Sequence, residues 1–270
     1  MISLAMLALS SLGAVLRALG TAHRIDVEAY TLHGPVLRAV EAAARRGADV
    51  NVALDGEPYN DSKRHLASEN QRLVDELRAS GADAVLQRAL HAKTIAADAT
   101  LYLDGKNWHG DDLILSESAA QSHSVAMVKH EALEEERKLI AGAQKSDGVI
   151  VESESFGCCN AVYAALERLA RAGGAPRLLV SERELHGNER ERRALGRLVA
   201  EGARVRVCRD SEKLAAAGDG AWLGSANATL AAPAEDSIDW GLRTRDKTIV
   251  AAVRQRLEGQ WASARPLNVA

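Results

Sequence analysis

The sequence predicts a two-lobed α/β protein, each lobe a mostly parallel sheet flanked by helices, with the lobes related by a pseudo-twofold axis. Two observations predict it. Apolar, β-rich runs alternate with helical patterns along the chain, which argues for parallel strands covered by helices. The order of elements in the first half then recurs in the second: Glu28 corresponds to Glu152 at an offset of 124, Lys93 to Lys213 at 120 and Gly105 to Gly224 at 119. Repetition at this length means a duplicated domain-sized unit and not a solenoid. The lobes are expected over residues 1–142 and 143–270, joined around Gly142 to Gly148 and folding as one body.

Each element follows from a local pattern. Ile25 to Tyr30 reads as a strand, and Pro35 to Arg46 as a helix with proline near its start and Gly47 past its end. Asp49 to Leu54 is a second strand, Asn60 to Ser80 a long polar helix closed by Gly81, and Ala84 to Gln87 a third strand. In the second half, Val149 to Glu152 is a strand and Asn160 to Ala172 a helix ending in two glycines. Arg177 to Val180 is the next strand, Asn188 to Glu201 a helix stopped by Gly202, and Arg204 to Val207 the third strand. Both halves close alike, with Val125 to Val128 before a charged helix and Trp240-Gly-Leu before a helix reaching Trp261.

At the N-terminus, Met1 to Val15 carries no charged side chain. It lacks the basic region of a signal peptide and is short for a membrane span. Leu12, Val15, Leu16 and Leu19 recur at helical spacing, with Leu4 and Leu7 one or two turns earlier, so an amphipathic helix packed on the domain is expected. A secretion signal is the alternative.

A chain of 270 residues buries a substantial core. Its net charge of −3 and pI near 6.3 give no general attraction to nucleic acid or anionic membrane, and 3% aromatics leave few platforms for stacking bases. The three cysteines, Cys158, Cys159 and Cys208, form no CxxC, so neither a disulfide framework nor a zinc site is expected. A reduced, cytoplasmic setting follows. Cys158 and Cys159 are read as small buried residues at the start of a helix, with a reactive thiol as the less ordinary alternative.

The stretch that carries chemistry is His91-Ala-Lys93, followed by Asp98 and Gly105. On a strand, residues i and i+2 share a face, so His91 and Lys93 would point into one pocket. In the second half stand Lys213, then Gly224-Ser225-Ala226-Asn227, then Asp239-Trp240-Gly241-Leu242. Taken singly these are bland: a surface His–Lys pair, a solvated lysine and a turn. Taken with the repeat, they resemble the HxKxxxxD motif, the GSxN element and the acid-plus-apolar strand of the phospholipase D superfamily, over essentially the whole chain from about Ile25.

That resemblance implies metal-independent phosphodiester hydrolysis or transfer, without a cofactor. A phosphodiester repels anionic nucleophiles, so lysines and neutral donors must first neutralise it. A neutral imidazole can then attack phosphorus and form a phosphohistidine. His91 matches the nucleophile, Lys93 a phosphate-binding lysine and Asp98 the motif aspartate, more structural than chemical. Lys213, Ser225 and Asn227 match phosphate-binding positions, and Asp239 the carboxylate that orients a histidine. The substrate is either phospholipid or nucleic acid.

The second motif departs from the pattern. Ser211 stands where the second histidine belongs, Gly218 where the aspartate belongs, and the spacing to Gly224 is one residue short. In the first half Gly105-Lys106-Asn107-Trp108 replaces GSxN, with Asn107 one place early. The carboxylate of the first lobe is open: alignment gives His123, with Asp111 and Asp112 nearby. Losing a positioned general acid costs about 10²- to 10⁴-fold, and His109, His123 or another chain would have to supply one. The rival readings are a degenerate module that holds phosphodiesters without turning them over, and a homodimer that combines His91 motifs across chains.

Overall fold

The computed structural model describes residues 7–58, 65–108, 110, 112–118, 127–210, 212–229 and 237–268. Two compact units make up the chain. The first comprises residues 1–127 together with Ser237–Trp240, and the second comprises Val128–Asp236 and Gly241–Ala270.

In the first unit the elements are β1 (Ala8–Ser10), α1 (Leu12–Thr21), β2 (Arg24–Ala29), α2 (Gly34–Arg45), β3 (Asp49–Asp55), α3 (Leu66–Ala79), β4 (Asp83–Gln87), β5 (Lys93–Ala97), β6 (Thr100–Leu103) and β7 (Ile114–Ser118). A two-residue strand, β8 (Met127–Val128), leads into the second unit. The helix expected from Asn60 begins at Leu66, and residues 60–64 lie outside the described ones. The N-terminal helix is shorter than its leucine spacing suggests. Ser11 caps it by accepting from Ala14 N at 3.2 Å, because Ala8–Ser10 has instead paired antiparallel with β7; Leu4 lies outside the described residues. Val15 and Leu19 are fully buried in the same core as Ile25, Val40, Leu73 and Ile95.

The second unit continues with α4 (Lys129–Ala141), β9 (Ile150–Ser153), α5 (Ala161–Arg171), β10 (Arg177–Ser181), the short α6 (Glu182–Leu185), α7 (Glu189–Ala200), β11 (Arg204–Cys208), β12 (Leu214–Ala217) and β13 (Gly220–Gly224). The two-residue β14 (Ile238–Asp239) belongs to the first unit, and β15 (Gly241–Thr244), α8 (Lys247–Ser263) and β16 (Arg265–Pro266) return to the second. Helix α4 packs tightly on β15. A Cβ on Gly241 would meet Ala132 Cβ at 2.9 Å, so only glycine fits there.

Sheet order proves the duplication. The first sheet runs β1-β7-β6-β5-β2-β3-β4 and the second β15-β13-β12-β9-β10-β11-β16. From β7 to β4 in the one and from β15 to β11 in the other, every pair has the same sense. The α/β expectation holds, but each sheet is mixed. β2-β3-β4 and β9-β10-β11 are parallel, whereas β5, β6 and β7 and their counterparts are antiparallel. The reason is connection length: helices join the parallel strands, while two-residue turns join β5 to β6 and β12 to β13, and a tight turn can only make an antiparallel pair.

Candidate functional site

The first unit gathers its polar groups around the segment just before β5. Strand β5 starts at Lys93, so His91 precedes it, held by its backbone. Leu90 bridges Ile238 in parallel, Ile238 N donates to Ala89 O and His91 N donates to Ile238 O, both at 2.8 Å. These bonds carry Asp239 to His91. His91 Nδ1 lies 2.8 Å from Asp239 Oδ1, and the carboxylate is fully buried. An ionised carboxylate only accepts, so Nδ1 carries a proton and donates it to Asp239. Ser237 Oγ donates to Asp239 Oδ2 at 2.6 Å, and Trp240 Nε1 to Asp104 O at 2.9 Å.

Lys93 is brought to the same place. It is 1% exposed, and its Nζ donates to His91 O at 2.5 Å. Tyr30, at the end of β2, touches both: its ring lies edge-on to His91 at 5.3 Å between centroids and 5.6 Å from Lys93 Nζ. Asp55, at the end of β3, is a further buried acid here. Burial pushes its carboxyl above the usual range, against backbone donation from Glu57 and Leu90 and the charge of Lys93.

Asp98 is not brought to this cluster. It sits exposed at the far end of β5, in the turn to β6, with φ of 47°. Its Oδ1 accepts from His23 N at 3.0 Å and Arg24 N at 2.9 Å, and donation from the Arg24 amide holds its carboxyl below the ordinary value. The motif aspartate therefore pins a hairpin, away from the groups gathered around His91. Gly218 is its counterpart, in the same turn position with φ of 52°, so the glycine preserves the left-handed backbone.

Strand register also corrects the alignment of the two halves. Thr94 faces Leu103 and Leu214 faces Leu223. Asp104 N donates to Lys93 O at 3.0 Å and Gly224 N to Lys213 O at 3.2 Å. Asp104 is thus the partner of Gly224, and Asn107 falls on Asn227 with no residue missing. Asp104 shapes this turn by accepting from Lys106 N at 3.2 Å and Trp108 N at 2.5 Å. Asn107 Oδ1 is buried and makes no hydrogen bond among the described residues.

Register settles the carboxylate as well. Leu103 faces Leu115 and Leu223 faces Leu242, so the residues three places earlier, Asp112 and Asp239, correspond. Asp112 is fully buried and paired with Lys106 Nζ at 3.0 Å. The sequence marks Asp239 by its motif and leaves Asp112 as one of several candidates. His109, Asp111, His123 and Ser211 lie outside the described residues.

In the second unit Lys213 is 2% exposed, with Nζ 3.0 Å from Glu154 Oε2. Since Ala29 faces Lys93 and Glu152 faces Leu214, Glu154 occupies the position of Tyr30. A carboxylate has replaced an aromatic ring beside the motif lysine. Ser225 is fully buried, and Asn227 Oδ1 accepts from Ser155 N at 3.3 Å. Among the described residues no group of His, Cys, Asp and Glu is arranged to hold a metal, and no helix is long and apolar enough to cross a membrane.

No family model matches the chain, and no curated protein does. Among solved structures, the phosphatidylserine synthase of Haemophilus influenzae Rd KW20 superposes with a TM-score of 0.67 at 12% identity, covering 98% of this chain and 89% of that one. The polyphosphate kinase of Porphyromonas gingivalis gives 0.60 at 16% identity, covering 95% of this chain. The chain spans 47% of that kinase. Both likenesses are likenesses of fold.

Proposed function

We propose that this chain, which has the fold of the phospholipase D superfamily, is a phosphodiesterase that hydrolyses or transfers phosphodiesters through a phosphohistidine on His91. The observation that carries the proposal is the His91–Asp239 contact at 2.8 Å beside buried Lys93. Asp239 holds the tautomer in which Nε2 attacks phosphorus, and it stabilises the imidazolium character that develops. Lys93 and Asn107 are the proposed phosphate-binding groups of the first unit; Lys213, Ser225 and Asn227 are those of the second. The substrate is a lipid or nucleic-acid diester, and the synthase likeness over nearly the full chain favours the lipid.

One observation favours the second reading, a module that binds phosphodiesters without turning them over. Lys213 already faces an internal anion, Glu154, which competes with a phosphate. Hydrolysis of bis(p-nitrophenyl) phosphate in EDTA, by wild type and His91→Ala, decides between the two. Activity that survives EDTA and disappears with His91 supports the enzyme. Equal rates in both proteins, with phosphodiester binding retained, support the module.

A further inference from the structure

Residues 154–160 form the loop between β9 and α5, and it is fastened to the segment after β13. Gly157 N donates to Ala228 O at 2.9 Å, Asn160 Nδ2 donates to the same carbonyl at 2.8 Å, and Ala228 N donates to Ser153 Oγ at 2.9 Å. Phe156 N donates to the buried Glu191 at 2.7 Å. The loop also carries Glu154, the partner of Lys213.

Between these anchors stand the two adjacent cysteines, and they are not buried as their sequence suggested. Cys159 is exposed and Cys158 partly so. Cys159 has φ of 70°, and the two Sγ atoms lie 3.3 Å apart. The contact with Cys159, followed by hydrogen bonding and charge from Arg190, lowers the Cys158 thiol, with Arg197 adding to it. Cys208 is the opposite case: burial pushes its thiol up to about 12. The chain thus contains an accessible sulfur pair beside two guanidinium groups and one inert thiol.

We propose that Cys158 and Cys159 form a peroxide-sensitive dithiol that closes into a disulfide between neighbouring residues. The Cys158 thiolate attacks one oxygen of a hydroperoxide. The O–O bond breaks, and the departing oxygen takes a proton and leaves as water or alcohol. Cys158 is then a sulfenic acid. Cys159 sulfur attacks it, the S–O bond breaks, an S–S bond forms, and the hydroxide leaves as water with the Cys159 proton. Two thiols have lost two electrons and the peroxide has gained them. Arg190 favours the first step by stabilising the thiolate. Adjacent Cα atoms are about 3.8 Å apart, shorter than the usual separation across a disulfide, so the ring is strained and readily reduced again. That makes it a reversible mark on the loop that positions Glu154 and Ala228, and not a structural bridge.

The test is mass spectrometry of the whole protein treated with a small excess of hydrogen peroxide, quenched and digested with trypsin. The peptide from Ser146 to Arg168 holds both thiols and no other cysteine. The expected product has lost the mass of two hydrogens, is restored by dithiothreitol, and forms while Cys208 stays a free thiol. In Cys159→Ser the same treatment leaves Cys158 as a sulfenic acid that a dimedone probe captures. The proposal is overturned if the peptide stays reduced while free thiols in a control peptide oxidise. It is equally overturned if both sulfurs oxidise separately to sulfinic acids, or if Cys208 reacts as fast. None of these readings depends on phosphodiesterase activity.

Discussion

His91 and Asp239 are 148 residues apart in the chain and 2.8 Å apart in the fold. The carboxylate is fully buried and steadied by Ser237, and on the proposed mechanism it fixes which imidazole nitrogen carries the proton. Asp239→Asn keeps the shape of the pair and admits the wrong tautomer. Turnover should fall by about 10²- to 10⁴-fold, with a much smaller change in KM. Steady-state kinetics on bis(p-nitrophenyl) phosphate check this, and a loss confined to KM would contradict it.

Glu154 governs how available Lys213 is. Glu154→Gln removes the competing anion and keeps the side-chain volume. Inorganic phosphate should then bind several-fold more tightly, an effect of about 1 kcal/mol for a partly exposed pair. Calorimetric titration of wild type and variant measures it. Unchanged affinity would remove Lys213 from the phosphate-binding groups.

Asp98 pins the turn between β5 and β6 through the amides of His23 and Arg24. Its carboxyl is held below the ordinary value by donation from the Arg24 amide, so its stabilising effect is present above about pH 4 and is lost as the pH falls through the depressed value. Asp98→Asn tolerates the left-handed turn yet has no charge to lose. Its melting temperature should be lower than that of wild type at pH 7, and the difference should narrow below pH 4. Turnover at pH 7 should stay near wild type. A large fall in turnover for a folded Asp98→Asn would return the residue to the active site.

Glu191 has the opposite sign. Burial raises its carboxyl to about 7, although Phe156 N and Asn188 Nδ2 donate to it. It binds its proton more tightly folded than unfolded, so the stability it contributes is full below about pH 4 and is lost as pH rises through 7. Between pH 5 and pH 8 the loss amounts to at most about 3 kcal/mol. Glu191→Gln should flatten that slope while still accepting from Phe156. Denaturant unfolding at the two pH values decides it.

The repeat, the alternation of strands and helices and the segment from His91 to Lys93 were legible because each rests on local pattern or on a motif with fixed spacing. Alignment on motif glycines failed by one residue at Gly105. Letters match there, but hydrogen bonding pairs Asp104 with Gly224, and only a register shows that. Asp112 was one of several candidates for the same reason. Tyr30 and Glu154 were invisible, since a residue beyond a strand end has no periodicity to betray it. Cys158 and Cys159 were misjudged because cysteine is on average among the most buried residues, whereas exposure here depends on a single positive φ.

The four residues Ser237–Trp240 are coded within the second half yet complete the first unit. A gene cut at residue 142 would therefore yield an N-terminal fragment with an imidazole and no counter-ion, its backbone at Ala89 and His91 missing two partners. A cut there separates His91 from the carboxylate that meets its Nδ1.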